Sequence, residues 1–84
     1  MTVGRSNTFE RVAAVVVRTF ALADASAISR MTTSADVSGW DSLSHAMLLM
    51  AIEEEFVIDF PLDRVSVARN VGELADLVDE LAAK

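Results

Sequence analysis

Phe9, Val12, Ala13, Val16, Val17 and Phe20 recur at the spacing of one helical face, with Arg11, Ala14 and Arg18 opposite. Asn7-Thr8-Phe9-Glu10 reads as a capping box, Asn7 as N-cap and Glu10 at the third position. A first helix is therefore predicted from Asn7 to near Ala23. Residues 24–40 show no sustained period and are rich in Ser, Thr, Ala and Asp. Within them Ile28, Met31 and Val37 are expected to peg a long loop to the core; such loops are uncommon in small domains and usually functional. Gly39 punctuates the loop before a second helix over Ser42–Phe56. Val57-Ile58-Asp59-Phe60 alternates like a strand, but the chain offers no second strand to pair with, so it reads as an extended connector. Pro61 suits the first turn of a short helix, roughly Pro61–Val67. Asn70-Val71-Gly72-Glu73 is another capping box, opening a last helix with Val71, Leu74, Leu77, Val78 and Leu81 on one face. The expected fold is all-α: a small four-helix bundle, one helix short, forming one domain over residues 1–84.

The second helix carries more apolar surface than one buried stripe needs. Ala46 to Ile52 are seven consecutive apolar residues, nearly two full turns. Leu48, Leu49, Ile52 and Phe56 form one bulky stripe that can face the first and last helices. Leu43, Ala46, Met47 and Met50 form a second, which runs on into Glu53 and Glu54. Methionine is adaptable and frequent on binding surfaces, and an apolar strip rimmed with acids has the make-up of a docking face. The competing reading buries both stripes because the domain is small. Glu55 reads as solvated surface, and Trp40 as a loop anchor over the helix start.

Length sharpens this. Eighty-four residues lie near the lower limit for a single core without staples, and the chain has no Cys to form disulfides. The apolar fraction of 52% fits a core that must stabilise the fold alone. The longest uncharged runs fall short of the ~18 apolar residues of a membrane span, and residues 1–7 lack the apolar run of a signal peptide. A soluble, cytoplasmic monomer is expected. Charge is uneven: residues 1–30 carry a net +2 and residues 31–84 a net −8. Between Asp41 and Glu55 there is no Lys or Arg. Nucleic acid is an unsuitable partner for such a surface, and a basic protein patch a suitable one.

Ser42 raises the question of chemistry. Ser and Asp are favoured at helix starts as caps, and Asp41 is the obvious N-cap. A phosphate ester on Ser42 would also face free N–H groups and the positive end of the helix dipole. Asp41, Ser42 and His45 do not make a catalytic triad, which needs the His between Ser and Asp and oxyanion donors in a cleft. His45 is expected at the surface near the helix start.

Asp41-Ser42-Leu43, placed after a Gly-containing loop and opening an apolar helix that ends Glu-Glu-Glu-Phe, resembles the acyl carrier protein family. The similarity runs through nearly the whole chain, from capped first helix to Asn-capped last helix. It implies that Ser42, flanked by Asp41 and Leu43, carries 4′-phosphopantetheine, attached from coenzyme A by a phosphopantetheinyl transferase that uses its own Mg²⁺. The arm's thiol would hold acyl or aminoacyl groups as thioesters, so the chain would be a carrier and not an enzyme. Leu43, Ala46, Met47, Met50, Glu53 and Glu54 would be read by partners: the transferase, a loading ligase or acyltransferase, and a downstream synthase or transferase. Trp40 and Ser44, in Gly-Trp-Asp-Ser-Leu-Ser-His, look more like freestanding carriers of specialised pathways than the housekeeping fatty-acid carrier. Val57 also departs from the family habit of Gly, Asp or Asn at that place, and a left-handed helix end is costly for a β-branched residue. The alternative is a carrier-like module that binds partners unmodified, as a scaffold or regulator.

Overall fold

The computed structural model describes residues 4–22 and 24–82, the side chains of 4–7 and 25 excepted. Four α-helices follow in order among the described residues: α1 (Gly4–Phe20), α2 (Ser42–Phe56), α3 (Leu62–Val65) and α4 (Val71–Ala82). Two single 3-10 turns, Ala25–Ala27 and Ser34–Asp36, interrupt the long loop. The all-α bundle expected from the sequence is what forms.

α1 is the hub, packed against both α2 and α4. Arg11 meets Glu55 in the last turn of α2, and the Phe20 ring stacks on Trp40 just before α2, so these helices run antiparallel. Thr8 Oγ1 donates to Asp79 Oδ1 at 2.7 Å, tying the start of α1 to the end of α4. The core consists of Val12, Val15 and Val16 of α1, Leu48 and Ile52 of α2, Val65 of α3 and the apolar face of α4. Each fully buried aliphatic side chain contributes ~1.5–3 kcal/mol by leaving water, which is how an 84-residue chain without staples holds together.

Helix boundaries depart from the sequence reading in instructive ways. α1 begins at Gly4, before the expected cap, while the Asn7 side chain lies outside the described residues. It ends at Phe20 and not near Ala23. Ala21 turns left-handed at φ 54°, and the Leu22 N–H reaches back to the Val17 carbonyl at 3.0 Å. α2 ends the same way: Val57 sits at φ 56°, ψ 55°, and the Ile58 N–H donates to the Glu53 carbonyl at 3.1 Å. Both are Schellman closures made without glycine. The connector after Val57 forms no helix or strand, and Pro61, itself extended, stands at the N-cap of α3, just outside the helix.

The loop pegs differ too. Ile28 and Val37 are buried as expected, but Met31 is 74% exposed and Thr32 is buried in its place. Thr32 is satisfied there: its hydroxyl accepts the Ser29 N–H at 2.8 Å and its carbonyl accepts the Val71 N–H at 2.9 Å. The neighbouring Arg30 carbonyl accepts the Gly72 N–H at 2.9 Å. The loop thus caps α4 with its own backbone. At Gly72 a Cβ would stand 2.8 Å from the Arg30 Cβ and 2.9 Å from its carbonyl oxygen, so the close approach requires glycine.

Candidate functional site

The start of α2 is built by its flanking loop. Gly39 takes φ +87°, a conformation open to glycine, and reverses the chain. Asp41 follows in extended conformation as N-cap, its carboxylate accepting the Ser44 N–H at 2.9 Å. That backbone N–H, joined by the Ser44 hydroxyl, holds the Asp41 carboxyl below its ordinary 3.8. Ser42 is the first residue of α2 and is exposed.

Trp40 is the anchor the sequence suggested. Its ring stacks on Phe20 at a centroid distance of 5.1 Å and lies near His45 at 6.0 Å. His45 is not a free surface residue: its Nδ1 accepts the Trp40 Nε1–H at 3.0 Å, and it is half-buried. Asp41 is engaged with Ser44 and His45 with Trp40, so the three side chains assemble no triad.

Beside Ser42 lies a cleft of about 410 Å³. Trp40, Asp41, Ser42 and His45 line it from the α2 side. Val65, Ala68, Arg69, Asn70 and Leu74 line it from α3 and the start of α4. Asn70 caps α4 as expected, its Oδ1 accepting the Glu73 N–H at 2.8 Å, but Glu73 returns the bond to the Arg69 N–H at 2.8 Å, one residue earlier than a capping box would have it.

The second helix presents two faces. Leu48 and Ile52 are fully buried, while Leu49 and Phe56 are half-buried at the edge of the core. Leu43, Met47 and Met50 stand 73%, 57% and 60% exposed. Ala46 and Glu54 are exposed with them. The reading that buries both stripes is thereby overturned. Glu53 is a partial exception: half-buried, its carboxylate accepts the Phe60 N–H at 2.8 Å and fastens the connector after α2. Glu55 is not idle surface either. It pairs with Arg11 at 3.1 Å and Arg18 at 4.0 Å, while the Arg11 guanidinium lies 4.3 Å above the Phe56 ring. The far end of the exposed face holds a depression of about 440 Å³, shaped by Met50, Glu54, Val57, Ile58 and Asp59 with Glu53. Val57 and Asp59 were not foreseen there, although Val57 follows Met50 by two helical turns.

Over 77 residues the chain is 34% identical to the chloroplastic acyl carrier protein of Brassica napus, covering 92% of this chain and 57% of that protein. It thus spans little more than half the length of that relative. The fold matches the solution structure of a holo acyl carrier protein from Geobacter metallireducens with a TM-score of 0.81 at 36% identity, over 90% of this chain and 86% of that one. The chain belongs to the acyl carrier protein family. No family model matches it. Members of this family are carriers and not enzymes, and the prosthetic group of the family is 4′-phosphopantetheine. The residues around Ser42 fit that group. An acyl carrier protein needs a reachable hydroxyl, and Ser42 offers one at a helix start, at the mouth of a cleft, with its neighbouring carboxylate already turned to the backbone. No described helix is long and apolar enough to cross a membrane.

Proposed function

We propose that this chain carries acyl or aminoacyl groups as thioesters on 4′-phosphopantetheine attached to Ser42, and presents them to enzymes of a specialised biosynthetic pathway. The observation that carries the reading is the exposed Ser42 hydroxyl at the first position of α2, capped by Asp41 and opening on the cleft. When bound, the arm supplies the thiol that the chain lacks. The chain's own residues do the rest. Asp41 fixes the helix start, Leu43 flanks the attachment point, and the Ser42 oxygen, once esterified, places a phosphate by the first N–H groups of α2.

The exposed strip of Leu43, Ala46, Met47 and Met50, rimmed by Glu54, supports the second half of the proposal, recognition by basic faces on the transferase, the loading enzyme and the downstream synthase or transferase. Each exposed charge pair is worth only ~0–1 kcal/mol, so recognition rests on their sum. The cytoplasmic setting expected from the sequence is part of this proposal; the Brassica napus relative is a chloroplast protein.

The test is incubation with coenzyme A and a broad-specificity phosphopantetheinyl transferase, followed by intact-mass measurement. A single addition is expected, together with new reactivity to maleimide. Ser42→Ala should take no addition. An unmodified wild-type chain would sink the carrier reading and leave the unmodified scaffold. Added salt, or Glu54→Lys, should slow loading without changing the fold; rates indifferent to both would remove the docking argument.

A further inference from the structure

The described arginine side chains are almost all matched to acids. Arg11 and Arg18 face Glu55, Arg30 faces Asp76 at 2.7 Å, and Arg64 faces Glu80. Arg69 alone makes no ion pair among the described residues, and it lines the cleft that opens at Ser42. Its backbone is fixed, because its N–H donates to Glu73. A second donor lines the same cleft. His45 Nδ1 accepts from Trp40, which leaves the ring proton on Nε2. Asp41, the one acid of the lining, is occupied by the Ser44 N–H.

Arg69 lines this cleft from an exposed position, and an alkyl chain lying against it would offer its guanidinium no acceptor and displace part of its water. An oxyanion would supply the acceptor and form a charge-assisted bond, for which the guanidinium fork is well shaped. We infer that the cleft is an anion-holding subsite in which Arg69, with His45 as a positioning donor, receives an oxyanion of the group attached through Ser42. This rests on the carrier reading. The oxyanion has two sources, the phosphodiester at Ser42 and a carboxylate at the far end of a dicarboxylic acyl cargo. The tether raises the effective concentration of either, so a modest contact suffices.

The experiment prepares four forms: the unmodified protein, and the protein loaded from coenzyme A, butyryl-coenzyme A and succinyl-coenzyme A, each verified by mass. The two acyl groups match in length and differ in the carboxylate. Side-chain NMR signals of Arg69 Nε–H and Trp40 Nε1–H are the readout. A shift of Arg69 in the succinyl form alone assigns the cargo carboxylate. A shift already complete with coenzyme A, and unchanged by cargo, assigns the phosphodiester. In either case Arg69→Gln should abolish the accompanying Trp40 shift and Arg69→Lys should retain part of it. Arg69 signals identical in all four forms would overturn the inference and leave the carrier reading intact. So would a Trp40 shift that survives Arg69→Gln. A mass that never changes would remove the carrier reading itself, and the inference with it.

Discussion

Ile52 and Met50 are two residues apart on α2, yet their truncation should have opposite consequences. Ile52 is fully buried in the core. Ile52→Ala removes packed carbon and leaves a cavity in the core that α2 shares with α1, for a cost of ~2–5 kcal/mol. A domain of this size has ~4–13 kcal/mol in all, at ~0.05–0.15 kcal/mol per residue. The loss is therefore a large share of the total. Met50 is 60% exposed. With less than half of its surface out of water, its burial is worth ~0.6–1.2 kcal/mol, scaled from the ~1.5–3 of a fully buried side chain. At ~4–8 °C per kcal/mol in a domain of this size, Met50→Ala should lower the melting temperature by ~2–10 °C, and Ile52→Ala by ~8–40 °C or to unfolding at room temperature. Function should divide the other way. The assays are thermal denaturation by circular dichroism and kcat/KM of loading by the transferase. Met50→Ala, and more so Met47→Ala with Met50→Ala, should load poorly while still folded. If Met50→Ala melts as low as Ile52→Ala, the exposed strip is core. If the double variant loads at the wild-type kcat/KM, the strip is not the face the transferase reads.

Val57→Gly should raise stability. The left-handed conformation costs a non-glycine residue ~1–2 kcal/mol, glycine's unfolded-state entropy takes back ~0.5–1, and the side chain is 89% exposed, so little packing is lost; an unchanged or lower melting temperature would contradict the strain. Gly72→Ala should destabilise, because its Cβ would press on the Arg30 backbone, and a melting curve matching the wild type would show that the loop yields freely. The Asp41 cap sets an acid limit. Its folded pKa lies below 3.8, so its contribution is complete above that pH and fades as pH falls through the lower folded value. In urea titrations Asp41→Ala should therefore trail the wild type at neutral pH and converge with it in strong acid; a gap constant with pH would exclude the charged cap.

How much of this was legible in the sequence depended on whether neighbours along the chain carried the information. α2 was readable at its start and through its body, because Asp41 is a strong cap and an unbroken apolar run marks the body; its closure was not, because the left-handed turn at Val57 is one a β-branched residue disfavours. The last helix was readable from Asn70 and its period. The loop was not. Hydropathy alone favours Met31 as a peg, but a segment without a period has no register to say which side chain points inward. Thr32 goes in because its hydroxyl and carbonyl find partners at Ser29 and Val71, the latter distant in sequence. Glu55 with Arg11 and Arg18, and Glu53 with the Phe60 N–H, are likewise contacts that form only once the helices meet. Asp41 and Ser42 were legible as cap and hydroxyl. The bond from Trp40 to His45 was not: it depends on the side-chain geometry of the turn at Gly39.

α3 is a wall of the cleft with few moorings, tied to α4 by the exposed Arg64–Glu80 pair. It is four residues long, Val65 is its one buried residue, and Leu62 at its start is 81% exposed. Its backbone bonds run from Arg64 and Val65 to the Pro61 carbonyl and from Ser66 to that of Leu62. Such a segment opens locally at a small fraction of the free energy that unfolds the whole domain. Amide protons of Val65 and Ser66 should therefore exchange with solvent many times faster than those of Val16 and Ile52. Equal protection would mean that α3 unfolds only with the rest. Because Val65 and Ala68 line the cleft, each such opening also widens it. With exchange as expected, the space beside Ser42 is a gated volume whose size follows a local unfolding equilibrium, and an occupant that holds the wall shut should slow that exchange.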